Sequence, residues 1–228
     1  YVMSALREVA TGLQFPEGPI AMPNGDVILV EIARGTLSRV KPDGTIEVVA
    51  ETGGGPNGAA IGPDGACYVC NNGGFRWHIK GDKHFPGYQD ENYSGGRIER
   101  VDIETGKVDV LYTECDGNPL RGPNDIVFDK SGGFWFTDHG KIRHRDEDRT
   151  GVYYAKADGS FITEAIFPIN GPNGIGLSAD EKTLYVAETH AGRCWAYDIE
   201  AEGKIARGRG AAPWEPGRLL LGVSDYRF

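Results

Sequence analysis

Gly122-Pro123-Asn124-Asp125-Ile126-Val127-Phe128-Asp129-Lys130-Ser131-Gly132-Gly133-Phe134-Trp135-Phe136-Thr137-Asp138 holds two apolar runs joined by a turn. Apolar residues follow Pro-Asn, Asp129-Lys130-Ser131-Gly132 supplies residues that accept tight or left-handed geometry, and a second apolar run ends on a carboxylate. That order predicts a β-hairpin. The segment has counterparts. Glu17-Gly18-Pro19-Ile20, Pro56-Asn57-Gly58-Ala59 and Pro172-Asn173-Gly174-Ile175 open equivalent stretches. These turn at Pro23-Asn24-Gly25-Asp26, Gly62-Pro63-Asp64-Gly65 and Ala179-Asp180-Glu181-Lys182.

A second hairpin is expected after each first one: residues 35–40 with 45–50, 96–102 with 107–113, 151–156 with 160–167, and 194–198 turning near Glu202-Gly203. Each repeat then contributes four antiparallel strands. Four-stranded units recurring at about 40–50 residues are the signature of an all-β β-propeller. A β-sandwich also uses many short strands, but it gives no reason for one polar signature to recur at the same point of every unit. The signatures are separated by 40, 67 and 49 residues. The excess lies in residues 73–94, which hold Phe75, Trp77, His78, His84, Phe85, Tyr88 and Tyr93. Long loops of this kind are functional or disordered, and the aromatic content predicts a lid or substrate wall.

The 228 residues carry 33 acidic and 24 basic side chains, a net charge of −9, with no stripe of clustered Lys and Arg. Nucleic acid is therefore not an expected partner. No apolar run approaches the ~18 residues of a membrane span, and no basic-then-apolar leader opens the chain. A single propeller domain over residues 1–228 is expected, without a membrane partner and in the cytoplasm. The 34 Gly and 13 Pro are spread among β-branched and aromatic runs, which indicates turns and not disorder. Cys67 and Cys70 form a C-x-x-C inside a predicted strand, where positions three apart face opposite ways. No disulfide framework, zinc pair or redox motif is expected from the four cysteines.

In a hairpin the second strand returns to the end where the first began. Fourteen residues after Glu17, Asn57 and Asn124 stand Glu31, Asn71 and Asp138, and fifteen after Asn173 stands Glu188. If the first strand of each unit is innermost, Glu17, Asn57, Asn124 and Asn173 ring the mouth of a central channel, with the other four outside them. Carboxylate and amide oxygens from several segments suit a hard cation such as Ca²⁺ or Mg²⁺, and the lack of converging His or Cys speaks against zinc or copper.

These residues resemble the SMP-30/gluconolactonase/luciferin-regenerating family of six-bladed propellers. The resemblance runs through Phe15-Pro16-Glu17-Gly18-Pro19, Gly122-Pro123-Asn124-Asp125-Ile126 with Phe134-Trp135-Phe136-Thr137-Asp138, and Gly171-Pro172-Asn173-Gly174-Ile175 with Leu184-Tyr185-Val186-Ala187-Glu188. It implies that Glu17 and Asn173 are metal ligands and that Asn124 is a ligand or orients water or substrate. It also implies a divalent cation, Ca²⁺ first, with Mg²⁺, Mn²⁺, Zn²⁺ or Fe as alternatives. The family's fifth-blade Asp, to which metal binding and general-base work are assigned, has no counterpart, and by repeat arithmetic it falls just beyond Phe228. Ser224-Asp225-Tyr226-Arg227-Phe228 reads as the approach to that signature. The chain is thus expected to hold about four to five of six blades and to be incomplete at its C-terminus.

The implied activity is hydrolysis of a small-molecule sugar lactone to its aldonic acid, in carbohydrate metabolism, with the cation polarising the carbonyl and activating water. Asp125, Asp138 and Glu188 are candidate helpers in proton transfer. Asn57, Asn71, Trp77, Arg121, Asn124, His139 and His190 are candidate substrate contacts. The charged run at residues 141–149 reads as a solvated loop. Two other functions fit the residues: an organophosphate or aryl-ester hydrolase on the same metal site, and a non-enzymatic calcium-binding propeller platform.

Overall fold

The computed structural model describes residues 6–206 and 217–222, and those residues form strands and turns with no helix. The first sheet is β1 (Pro16–Ala21), β2 (Val27–Glu31), β3 (Thr36–Val40) and β4 (Ile46–Glu51), in that order. The second is β5 (Pro56–Ile61) and β6 (Cys67–Asn71), followed after an insertion by β9 (Arg97–Val101) and β10 (Val108–Tyr112). That insertion, at the expected lid, is a separate hairpin of β7 (Phe75–Lys80) and β8 (Lys83–Gln89). A short pair, β11 (Glu114–Cys115) and β12 (Asn118–Pro119), precedes the third sheet of β13 (Pro123–Phe128), β14 (Gly133–Asp138), β15 (Thr150–Lys156) and β16 (Ile162–Ile169). The fourth holds β17 (Pro172–Leu177), β18 (Thr183–Glu188) and β19 (Arg193–Ala201). There β20 (Lys204–Ile205) and β21 (Arg218–Gly222) both pair with β19, so the last expected hairpin is only the start of that sheet's outer edge.

The first strands β1, β5, β13 and β17 pack side by side in succession, which is the radial arrangement of propeller blades. Burial explains why β6 and β14, the second strands of the two inner blades, are continuous apolar runs, since those blades are covered on both faces, whereas β18 alternates and leaves Tyr185 exposed. Cys67 and Val69 pack with Ile28, Val30 and Leu37 of the first blade. Tyr68 and Cys70 face the other way, against Ile126, Phe134 and Phe136. Trp135, Val152 and Tyr154 then meet Leu184, Val186 and Trp195. The core is thus three inter-blade layers. The C-x-x-C is split between two of them as strand geometry requires, and burial pushes the Cys67 thiol up to about 12. Residues 224–228 lie outside the described residues. No helix among the described residues is long and apolar enough to cross a membrane.

Candidate functional site

Every inner strand shifts register near its start: between Glu17 and Ile20, Pro56 and Gly58, Pro123 and Ile126, and Pro172 and Ile175. Such bulges bend a strand and re-aim a side chain. The residue after the polar position allows the strands to close up. A Cβ on Gly18 would lie 2.7 Å from the Ala59 nitrogen, and one on Gly58 would lie 2.3 Å from the Asn124 oxygen. Glu17, Asn57, Asn124 and Asn173 consequently line one pocket of about 520 Å³ on the propeller axis. In the third blade Asp125 replaces the glycine and becomes a tie between blades. Its Oδ1 accepts from its neighbour's Ile126 N–H at 2.9 Å and its Oδ2 from the Ile175 N–H of the fourth blade at 3.0 Å.

The electrostatics of this floor are unbalanced. Asn57 and Asn124 are only 9% and 8% exposed, and no described residue hydrogen-bonds the side-chain amides of Asn57, Asn124 or Asn173. Their amide atoms open onto the pocket, since the one fully buried side-chain polar atom without a partner among the described residues is Asn72 Nδ2. Burial raises the Glu17 carboxyl above its usual range, and the negative charge of Asp125 adds to this while the Gly18 N–H opposes it. Asp125 is likewise raised by burial against its two N–H donors. No cationic side chain pairs with either among the described residues. Among the described residues no three His, Cys, Asp or Glu side chains come close enough to hold a metal; with both Asp125 oxygens held by N–H groups, the Glu17 carboxylate and the amide oxygens are the free donors, a set that fits a hard divalent cation.

The second set of polar residues stands opposite the prolines, as hairpin geometry predicts: Pro16 with Glu31, Pro56 with Asn71, Pro123 with Asp138, and Pro172 with Glu188. None lines the axial pocket. Each instead clamps the chain entering its own blade. Glu31 accepts from Gln14 N–H at 2.7 Å, Asn71 from Gly55 N–H at 2.9 Å, and Glu188 from Asn170 N–H at 3.0 Å. Asp138, wholly buried, accepts from the N–H groups of Arg121, Gly122 and Gly140 at 2.7, 2.7 and 2.9 Å. Asp138, Glu188 and Asn71 thus stand behind the axial pocket, their polar atoms engaged with the backbone of their own blades. Asp138→Asn would set an amide N–H₂ against one of these donors. It is expected to destabilise the fold by about 3 kcal/mol and lower Tm by about 6–12 °C in thermal unfolding.

The walls come from loops. Phe15, held at φ 56, a left-handed conformation unusual for an aromatic residue, lines the pocket beside Glu17. Ile32, Phe75, Pro86, His139 and Ile142 complete the walls. The β7–β8 hairpin is therefore the wall expected of residues 73–94, although its pocket contacts are Phe75, Pro86 and Gly87 and not Trp77. Trp77 lies behind, its ring 5.2 Å from that of Phe15. Arg121 does not line the pocket either, and serves through its backbone, whose N–H meets Asp138 and whose C=O accepts from the Tyr93 hydroxyl. His190 also lies off the pocket, hydrogen-bonded to Asn170 and edge-on to His139 at 5.0 Å.

The run at residues 141–149 is not uniformly solvated. Lys141 is 1% exposed and donates to Asn72 Oδ1 at 2.8 Å and to the Gly74 carbonyl at 2.9 Å, and burial pushes its ammonium down to about 7. Nothing in the sequence distinguishes it from its charged neighbours. Burial, with the charges of His190 and Lys141, lowers the His139 imidazole to about 4. Between pH 6.5 and about 4 the unfolded chain binds this proton and the folded chain does not, so stability is lost as pH falls through that window. The cation-free protein is expected to lose at most about 3 kcal/mol from this group, and His139→Gln should flatten that part of the stability–pH curve.

Comparison with known proteins agrees with this architecture. Residues 15–221 match the SMP-30/Gluconolactonase/LRE-like region. The chain is 26% identical over 226 residues to a gluconolactonase of Zymomonas mobilis, covering 89% of this chain and 57% of that protein. It is 32% identical over 203 residues to the lactonase drp35 of Staphylococcus aureus, covering 88% and 56%. It thus spans little more than half the length of these relatives. A solved gluconolactonase from Xanthomonas campestris superposes with a TM-score of 0.65 at 22% identity, over 85% of this chain and 61% of that one, and so shares the fold.

Proposed function

Because the chain belongs to the SMP-30/Gluconolactonase/LRE-like family, we propose that its axial pocket is the working site of a lactone hydrolase that binds a divalent cation. The observation that carries this reading is the pocket floor: the Glu17 carboxylate, which no cation pairs with among the described residues, and three amides that no described residue hydrogen-bonds, contributed by successive blades around one space. Glu17, Asn124 and Asn173 would hold the cation, with Asn57 beside them, and Ca²⁺ suits this all-oxygen set first. When bound, such a cation supplies Lewis acidity towards an ester carbonyl and eases deprotonation of water.

The chain's own residues do the rest. Asn57 presents a buried amide that can donate to a carbonyl oxygen on the floor. Asp125, which lines the pocket and is held by two N–H donors, would take a proton from attacking water. Water oxygen bonds to the lactone carbonyl carbon, the ring C–O bond breaks, the ring oxygen gains a proton, and a hydroxy acid results. The polyhydroxylated lactones of the gluconolactonase relatives and simpler cyclic esters both belong to this class.

A pH-stat assay of the full-length protein on a lactone panel, with chelator and then added Ca²⁺ or Mg²⁺, tests the reading. Hydrolysis lost on chelation and restored by the cation is expected. Chelator-insensitive turnover would overturn it, faster turnover of organophosphates or aryl esters would move the activity to those substrates, and tight Ca²⁺ binding without hydrolysis would point to a binding platform.

A further inference from the structure

The pocket is polar at its floor and apolar at its walls. Phe15, Ile32, Phe75, Pro86 and Ile142 form those walls, and His139 is the only polar wall side chain among the described residues. Arg121, the cation expected to meet hydroxyl groups, lies elsewhere. A sugar lactone carries hydroxyls on most ring carbons. Each one moved from water to an apolar wall without a partner costs about 1–3 kcal/mol. A hydrocarbon substituent meets the same wall with a gain of about 25 cal/mol per Å² buried.

The most prominent part of this wall is an insertion. The β7–β8 hairpin interrupts the second blade, and the buried Lys141 is one of its ties to the third. Lys141 Nζ lies 3.8 Å from the centre of the Phe75 ring while donating to Asn72 Oδ1 and the Gly74 carbonyl, on the chain just before that ring. The second strand of the hairpin is tied to the same loop, Gln89 N–H donating to the Ile142 carbonyl at 2.9 Å. Arg143 Nη1 also donates to Gln89 Oε1 at 3.2 Å, so the loop holds the second strand of the hairpin, while Lys141 alone ties the chain before Phe75 and the face of that ring together.

Building on the lactone-hydrolase reading, we propose that the hairpin makes this pocket selective for lactones bearing an apolar alkyl or aryl substituent over polyhydroxylated ones. Phe75 and Pro86 form the selecting wall, and Lys141 is the positioning residue that holds Phe75 in place. The substituent lies along the wall while the ester group faces Glu17 and the asparagines.

The test compares two six-membered lactones on the full-length protein with Ca²⁺ present: glucono-δ-lactone and a δ-lactone carrying a pentyl chain. The kcat/KM ratio is expected to favour the alkyl lactone by about tenfold or more, and Phe75→Ser to reduce that ratio by about tenfold. Lys141→Met should raise KM for the alkyl lactone more than it lowers kcat, whereas general damage to the fold would lower kcat for both. Pro86→Ser replaces Phe75→Ser if the latter does not fold. A ratio favouring glucono-δ-lactone, or one unchanged in the wall variant, would overturn the proposal. If neither lactone turns over, the hydrolase reading fails, and the wall is read separately by NMR titration with the matching δ-lactams. Tighter binding of the pentyl lactam would support the wall, and equal binding would refute it.

Discussion

Glu17→Gln is expected to weaken divalent-cation binding at least about 100-fold and to lower lactone kcat/KM by a similar factor. Glu17 is the one floor carboxylate that no backbone tie between blades claims. Asp125 has an oxygen committed to Ile126 N–H and another to Ile175 N–H, and the remaining floor donors are neutral amides. A cation at about 100 times its Kd stabilises the folded chain by about 2.7 kcal/mol, and a 100-fold weaker site at the same concentration by about 0.4 kcal/mol. The Ca²⁺-induced rise in Tm should therefore nearly vanish. Stability without cation should not fall. Burial already raises the Glu17 carboxyl above its usual range, so its charged form is disfavoured in the folded chain and a neutral isostere removes that penalty. Loss of binding with an unchanged or higher cation-free Tm separates a ligand from a structural residue. A full Ca²⁺ response in the variant would remove Glu17 from the site.

Gly58→Ala is expected to have the largest effect on the fold of any single methyl addition at the axis. The added carbon would stand 2.3 Å from the Asn124 oxygen and 2.7 Å from Asp125 Cα. Both are backbone atoms of a strand that is itself fixed by Asp125 and Thr137, whose hydroxyl accepts from Asp125 N–H at 3.1 Å and donates to the Asn173 carbonyl at 2.6 Å. Nothing flexible is available to move aside. Overpacking of this kind costs about 3 kcal/mol or more, which corresponds to a Tm lower by about 6–12 °C. The same displacement would part Asn57 from Asn124, so cation affinity should fall along with stability. This differs from Glu17→Gln, where only binding falls. Calorimetry with and without Ca²⁺ distinguishes the two patterns, and an unperturbed Tm in Gly58→Ala would mean the inner strands are farther apart than described.

The repeat was legible because each blade writes the same order of residues: a polar start, an apolar run, a turn, and a second apolar run with a polar end. Both members of each polar pair fall where that order places them. Their chemistry was less legible. Glu31 and Glu188 look as suitable for a metal as Glu17 does, and only the hydrogen bonds to Gln14 and Asn170 show that they clamp the entering chain. Periodicity records which end of a strand a residue occupies, not which way a bulge turns it. The burial of Lys141 is hidden in the sequence for a related reason. A lysine in a run of seven charged side chains carries no local sign of burial, and its partners Asn72 and Gly74 are remote in sequence. The hairpin wall was visible as an aromatic insertion. The choice of Phe75 over Trp77 as its pocket face depends on the register shift between them, because two residues i and i+2 of a regular strand share a face, and on the Lys141 side chain over the Phe75 ring.

Diffraction from crystals of the full-length protein grown with Mn²⁺, using the anomalous signal of the ion, tests the central assignment most directly. A single strong peak is expected on the propeller axis, within about 2.0–2.6 Å of oxygens from Glu17, Asn124 and Asn173. A peak bound elsewhere, or an axis left empty at saturating Mn²⁺, would contradict the cation site and the hydrolytic chemistry built on it.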